Sequence, residues 1–238
     1  MNKTFGPKSI YLLAGGRGSR RSDNDPLLTR ILASCGVPSP SIAYVGAASG
    51  DDRPFFSMLS GYMRECGAVR VTLAPLAGRW VKPKKTRAIL ESADMILISG
   101  GDVEAGMEVL EERQILPFFR DLYAGGKPFF GISAGSIMLA KQWVLWEDPD
   151  DDATASIFPC MGLAPVICDT HGEAERWEEL QTLVRLTEEG TSGYGIPTGA
   201  GLCVHPDGAL EALGAPVHCF VSKGGAVVRS ANLSPAGR

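Results

Sequence analysis

The segment "KPFFGISAGSIMLA" (127–140) sets Ser133 between Gly131 and Gly135, where a buried apolar strand hands over to a helix. A side chain at such a turn points out of its sheet, beside helix-start N–H groups that gather positive potential. Those amides can hydrogen-bond a developing oxyanion, a contribution of about 2.7–4 kcal/mol per donor. Flanking glycines admit strained backbone and the close approach of a substrate. A hydroxyl so placed is positioned as a nucleophile for acyl transfer. The structural alternative is that Ser133 N-caps the helix that follows.

A serine nucleophile needs a base, and the chain has three histidines. His205 lies in "VHPDG", a surface-turn context, and His218 in an apolar strand, the context of a satisfied core histidine. His171, in "CDTHGEAERWEEL", comes where the apolar run "APVIC" gives way to a helix. It stands at a strand's carboxyl end, the same side of the fold as Ser133. A second strand–glycine–helix turn, "ILISGGDVEAG" (96–106), offers the amides of Gly100 and Gly101 as a further oxyanion donor. The carboxylate that orients His171 stays open among Glu147, Asp148, Asp150, Asp151 and Asp169, because it need only accept the Nδ1 proton. G-x-S-x-G also fits an α/β-hydrolase, but that fold keeps its histidine much farther along the chain than His171.

The elements that carry these residues alternate. Apolar runs at 9–16, 41–49, 68–76, 94–101 and 127–132 read as strands. Helical patterns lie between them at 26–36, 54–67, 84–93 and 103–126, and another follows Ser133 in "AGSIMLAKQW". Strand–helix alternation implies β-α-β crossovers and a parallel sheet, with ligands at the strands' carboxyl ends. Beyond Gly195, "GAGLCVHPDGALEALGAPVHCFVSKGGAVVRS" (199–230) breaks into short strands at "PDG" and "KGG" turns and reads as a closing antiparallel meander. No linker or repeat divides the chain, so one domain over 1–238 is expected.

Composition narrows the partners. Net charge is −4 over 238 residues, which lacks the basic excess of a nucleic-acid binder. The acidic run "EDPDDD" (147–152) reads as a solvated loop. No apolar run approaches the roughly 20 residues a membrane span requires. The six cysteines are scattered without a C-x-x-C pair, which favours a reducing, cytoplasmic setting. The histidines lack ligand spacing, so no metal is expected. The loop "AGGRGSRRS" (14–22) could cradle a phosphate but matches neither G-x-G-x-x-G nor a P-loop, and reads as a surface loop.

Taken in order, these motifs resemble the peptidase E / cyanophycinase family of serine peptidases. The matching segments are "SGGD" (99–102), "GISAGS" (131–136), "DTH" with Arg176 and Leu180, and "GYGIPTGAGLCVHPDG" (193–208), with "YLLAGGRG" at the start. The resemblance implies an α/β fold: a flavodoxin-like three-layer sandwich with a mostly parallel central sheet and C-terminal antiparallel strands, related to class I glutamine amidotransferases. It implies Ser133 as nucleophile, His171 as base and a carboxylate near Asp148 as third member. Gly101 and Ala134 would supply the oxyanion amides, and Gly100, Asp102 and Arg176 would line the substrate site. The implied substrate is a small peptide, an aspartyl dipeptide or a β-aspartyl-arginine isopeptide; Asp102, where peptidase E usually has Asn, leans toward cyanophycinase. No cofactor is implied, and a homodimer fits the resemblance. The chain departs from the pattern at Gly172, where the family has an aromatic residue, in the glutamates of "EAERWEEL", and at Pro197–Thr198, where acidic residues are usual. The competing function is a non-catalytic amidotransferase-like domain that binds a small ligand in the same crevice.

Overall fold

The computed structural model describes residues 6–16, 25–148 and 150–235. Five short strands follow the apolar runs: β1 (Ile10–Leu13), β2 (Ser41–Val45), β3 (Arg70–Leu73), β4 (Met95–Ile98) and β5 (Phe129–Ile132). Between them lie α1 (Pro26–Ala33), α2 (Arg53–Glu65), α3 (Pro83–Ser92), α4 (Val103–Glu112) and α5 (Leu116–Ala124). Helix starts are marked chemically. Asp25 accepts from the Leu27 amide, Asp52 from Phe55 and Asp102 from Ala105, while proline occupies the first turn of α1, α2, α3 and α5.

β1, β5, β4, β2 and β3 pair in parallel, so their carboxyl ends share one edge. Strand periodicity then divides the core. Ile96, Ile98 and Phe129 face one helical layer with Met107, Leu110 and Phe119, while Met95, Leu97 and Phe130 face the other with Leu28, Ile31 and Met63. The expected three-layer sandwich is present.

The remainder comprises α6 (Ala134–Leu139), β6 (Gln142–Trp146), β7 (Ala155–Pro159), β8 (Ile167–Thr170), α7 (Glu178–Arg185), β9 (Ser192–Ile196), β10 (Gly201–Val204), β11 (Leu210–Leu213), β12 (His218–Lys223) and β13 (Ala226–Arg229). Two expectations are corrected. The helix after Ser133 stops at Leu139, and the residues from Gln142 form a hairpin strand instead. The C-terminal strands do not form one meander. β10 and β11 extend the central sheet antiparallel beside β1, whereas β12 and β13 join β9 and β8 in a separate four-stranded sheet. That second sheet packs against α7 through Leu180, Leu183 and Phe220, and it is what carries His171 to the central sheet. Among the described residues no helix is long and apolar enough to cross a membrane.

Candidate active site

Ser133 joins β5 to α6 with φ 54° and ψ −127°, a conformation non-glycine residues rarely adopt. Its hydroxyl makes no capping bond to α6, so the N-cap explanation does not hold. The flanking glycines are required by packing. A Cβ on Gly131 would lie 2.6 Å from the Gly135 carbonyl, and one on Gly135 would lie 2.0 Å from the Ile98 carbonyl oxygen. Only bare backbone lets the buried helix start press onto β4 and β5. The turn is held from a third side as well. The Ser133 amide donates to the Leu13 carbonyl (2.8 Å), and Ser136 Oγ accepts from the Leu13 amide while donating to the same carbonyl, both at 2.8 Å. Ser136 thus fixes the Ser133 turn to β1, a role its place in "GISAGS" did not announce.

The turn after β4 lies against the serine. A Cβ on Gly100 would sit 3.2 Å from Ser133 Cβ and 3.7 Å from its Oγ. Gly101 has φ 144°, and a Cβ there would meet the Ala48 carbonyl oxygen at 2.0 Å. Asp102 is engaged in structure: its amide donates to Ala48 O (2.8 Å) and its Oδ1 caps α4 at Ala105 N (2.9 Å). Among the described residues the amides of Gly101 and Ala134 have no acceptor, as an oxyanion site requires.

β8 runs against the direction of α6. The Lys141 amide donates to Val166 O (2.9 Å), and Cys168 Sγ lies 3.7 Å from Ser136 O. Stepping back along α6 to Ser133 therefore means stepping forward along β8 to His171, which stands just past the strand with φ 65°. Gly15 and Gly16 lie between the two. A Cβ on Gly15 would touch Ile132 Cγ2 at 2.8 Å; one on Gly16 would lie 2.6 Å from Thr198 Cγ2 and 3.9 Å from His171 Cε1. The ends of β1, β5, β8 and β9 thus converge. Among the described residues Ser133 and His171 share no direct hydrogen bond, and such bonds commonly close only around a substrate.

His171 Nδ1 lies 3.0 Å from Thr198 Oγ1. The Thr198 amide in turn donates to Glu173 Oε1 at 2.5 Å. Burial alone would raise the Glu173 carboxyl, but the Thr198 N–H, its own backbone N–H, the Thr198 hydroxyl and the charge of His171 together hold it below its ordinary value. Neither Thr198 nor Glu173 was expected at the site. Both stood out in the sequence as departures from a pattern, which was the available signal.

The expected carboxylates lie elsewhere in the bonding scheme. Asp148 is exposed in the β6–β7 connection; its Oδ1 accepts from the Asp150 amide (3.0 Å), and its backbone bonds Thr154. Asp151 closes the next turn on Ala153 N (2.9 Å). Asp148 and Asp151 bond locally because aspartates readily cap their own turns. Among the described residues none of Glu147, Asp148, Asp150 and Asp151 bonds His171. Asp169 is buried, at 5 % exposure, and accepts from Thr170 N (2.6 Å). Burial pushes its carboxyl up to about 7; the Thr170 bond opposes this, and Glu179, Glu173 and Glu175 add to it. That burial disfavours the charged form an imidazolium would need as its partner.

Arg176 is exposed on the loop after His171, with φ 54°, and forms no ion pair among the described residues. Gly172 and Gly195 make room for Trp177. A Cβ on Gly172 would meet its ring at 2.7 Å and one on Gly195 at 2.6 Å. The indole lies beside His218 with the rings tilted at 45° and their centres 5.4 Å apart, and the His218 Nδ1 lies 2.7 Å from Arg229.

Among the described residues one group could hold a metal: Cys203, His205 and Glu211, whose ligand atoms lie within 4.8 Å of one another. It sits toward the opposite end of β1 from Ser133, since Tyr11 pairs with Cys203 and Leu13 with Gly201. Arg30 already binds Glu211 (2.8 Å) and Ser9 binds His205 Nδ1 (3.0 Å), so a fixed positive charge opposes a cation there. Arg17–Ser22 of the glycine–arginine loop fall outside the described residues.

Comparison with known proteins follows the same lines. The sequence model of Peptidase family S51 matches residues 10–211. Peptidase E of Pasteurella multocida (strain Pm70) is 33% identical over 84 residues, covering 33% of this chain and 36% of that protein. The pyridoxal 5'-phosphate synthase subunit PdxT of Hyperthermus butylicus is 39% identical over 70 residues, 29% of this chain and 35% of that one. These matches span about a third of each relative's length. In three dimensions the chain is similar to a peptidase from an acI-B1 Actinobacterium, with TM-score 0.72 and 15% identity over 98% of this chain and 97% of that one. It is also similar to a putative peptidase E protein from Listeria monocytogenes EGD-e, with TM-score 0.61 and 15% identity over 87% and 98%.

Proposed function

The chain belongs to peptidase family S51, and from that premise we propose that it is a serine peptidase acting on a small peptide or isopeptide through an acyl-enzyme on Ser133. The observation that carries this reading is the Ser133 turn itself: a strained serine whose hydroxyl does not cap α6, pressed against Gly100 and flanked by the amides of Gly101 and Ala134, which have no acceptor among the described residues. Strain of about 1–3 kcal/mol per residue persists where a fold over-determines it, and such residues cluster at reactive sites.

In the proposed reaction Ser133 Oγ attacks the scissile carbonyl as His171 takes its proton. The amides of Gly101 and Ala134 hold the oxyanion, and the histidine returns the proton to the leaving amine. Water, activated by the same imidazole, then releases the acid product and restores the hydroxyl. No metal or organic cofactor takes part in this scheme.

The substrate proposed is of the aspartyl type, with the β-aspartyl-arginine isopeptide preferred to an α-aspartyl dipeptide. The loop after His171 and the first turn of α7 bring Glu173, Glu175, Glu178 and Glu179 against a single Arg176, a charge balance that suits a cationic leaving residue. The chain is proposed to work as one amidotransferase-like hydrolase domain.

The test is turnover of β-aspartyl-arginine and of α-aspartyl dipeptides by the wild-type chain and by Ser133→Ala. Hydrolysis lost in the variant, fastest with the arginine-containing isopeptide, supports the proposal. Hydrolysis that survives Ser133→Ala, or ligand binding without any turnover, overturns it in favour of a binding domain.

A further inference from the structure

We propose that Thr198 and Glu173 are positioning residues for His171: the Thr198 hydroxyl stands between the imidazole and the Glu173 carboxylate and fixes which ring nitrogen carries the proton. This inference rests on the proposed role of His171 and supplies the third member that the acidic loop at 147–152 does not. Two contacts build it. Thr198 Oγ1 lies 3.0 Å from His171 Nδ1, and the Thr198 amide donates to Glu173 Oε1 at 2.5 Å. The Thr198 hydroxyl is also among the groups that hold the Glu173 carboxyl below its ordinary value.

Donor and acceptor counting gives the contacts a direction. An ionised carboxylate only accepts, whereas a threonine hydroxyl has one proton to donate and lone pairs to spare. The proposal gives that proton to Glu173, whose carboxylate the Thr198 amide already holds, so that Oγ1 can only accept from the ring. His171 must then carry its proton on Nδ1, leaving the Nε2 lone pair to take the proton of Ser133. Had Oγ1–H pointed at Nδ1 instead, the base would hold the wrong tautomer, a fault that disables a serine triad by orders of magnitude even with its geometry intact.

The surrounding chain keeps the three groups in register. Glu173 and His171 share one loop, two residues apart, so the carboxylate cannot drift from the ring it serves. Thr198 is fixed from the other side, because Gly199 donates to Gly15 O (3.0 Å) and Ala200 to Pro197 O (2.9 Å). Gly16 leaves just the space that Thr198 Cγ2 fills. When His171 becomes an imidazolium during turnover, the Glu173 charge stabilises it through the polarised hydroxyl.

Two readouts on Glu173→Gln, Thr198→Val and Thr198→Ser test this. Glu173→Gln keeps the shape and an acceptor for the Thr198 amide, so it separates charge from folding. The first readout is the His171 tautomer from nitrogen-15 NMR at pH 8, assigned with His205→Asn and His218→Asn controls. The wild type and Thr198→Ser are expected in the Nδ1–H form, with Glu173→Gln and Thr198→Val shifted toward Nε2–H. The second is the rate of fluorophosphonate labelling at Ser133, expected to fall about 10²-fold or more in Glu173→Gln and Thr198→Val and to stay within a few-fold in Thr198→Ser. An unchanged tautomer in both disabled variants overturns the proposal whatever the labelling shows, and a tautomer shift with undiminished labelling overturns its service to Ser133. A wild-type chain that resists labelling yet shows the tautomer shifts defeats the peptidase reading while the Thr198–Glu173 relay stands.

Discussion

Gly100 and Ser133 are packed so closely that a methyl group on the glycine would lie 3.2 Å from the serine Cβ and 3.7 Å from its Oγ. The turn proposed to offer an oxyanion amide is therefore built against the proposed nucleophile, with no room for an intervening side chain. The two glycines of this turn should respond differently to alanine. Gly100→Ala meets atoms at 3.2–3.3 Å, which small shifts relieve; it should fold and lose about tenfold in fluorophosphonate labelling. Gly101→Ala meets the Ala48 oxygen at 2.0 Å with φ at 144°, and should lose about 3 kcal/mol or more in urea unfolding. Equal stability of the two variants would contradict this reading.

Asp169 makes stability depend on pH. Its folded carboxyl titrates near 7, well above an ordinary aspartate. The folded chain thus holds a proton that the unfolded chain has released above about pH 4. The associated stability is fully present at acid pH, declines as pH rises from about 4 to 7, and is absent beyond; the span amounts to about 4 kcal/mol. Asp169→Asn keeps an acceptor for Thr170 N and removes the titration. Its melting temperature should exceed that of the wild type at pH 8 and match it more closely at pH 5, read by thermal melts at both values. A wild-type curve as flat as the variant's would defeat the assignment.

Ser136 is fully buried and satisfies both the amide and the carbonyl of Leu13. Ser136→Ala removes the acceptor for a buried N–H, which typically costs about 1–3 kcal/mol. Because the same bonds tether the Ser133 turn to β1, labelling should slow as well. Urea unfolding and labelling rates on one preparation check both effects.

Asp148 provides the contrast. Its carboxylate closes an exposed turn on Asp150, so Asp148→Asn should keep labelling within about twofold of the wild type and change stability by under about 1 kcal/mol. A loss matching that of Glu173→Gln would return the third position to the acidic loop.

Much of this architecture was legible in the chain. Glycine and proline punctuated the strand–helix alternation, and G-x-S-x-G marked the turn at Ser133 because only glycine tolerates the approach of Gly135 to the Ile98 carbonyl. Two kinds of information were hidden. Between Ser136 and Trp146 two short apolar pieces flank Lys141–Gln142, and pieces that short fit a buried helix and a buried strand alike; the chain leaves the helix at Leu139 and enters β6. Likewise, turn signals separate the C-terminal strands without saying which sheet each joins. The carboxylate near His171 was obscured for another reason. Glu173 reaches the ring through a threonine 25 residues farther along the chain, and no spacing rule connects residues that meet only when β8 and β9 pair.

The central claim is that Ser133 is an activated nucleophile, and intact-mass analysis after fluorophosphonate treatment tests it most directly. The account predicts a single adduct mapped to Ser133 by peptide sequencing, absent from Ser133→Ala and strongly slowed in His171→Ala. An adduct on another residue, or equal labelling of the wild type and Ser133→Ala, would contradict it.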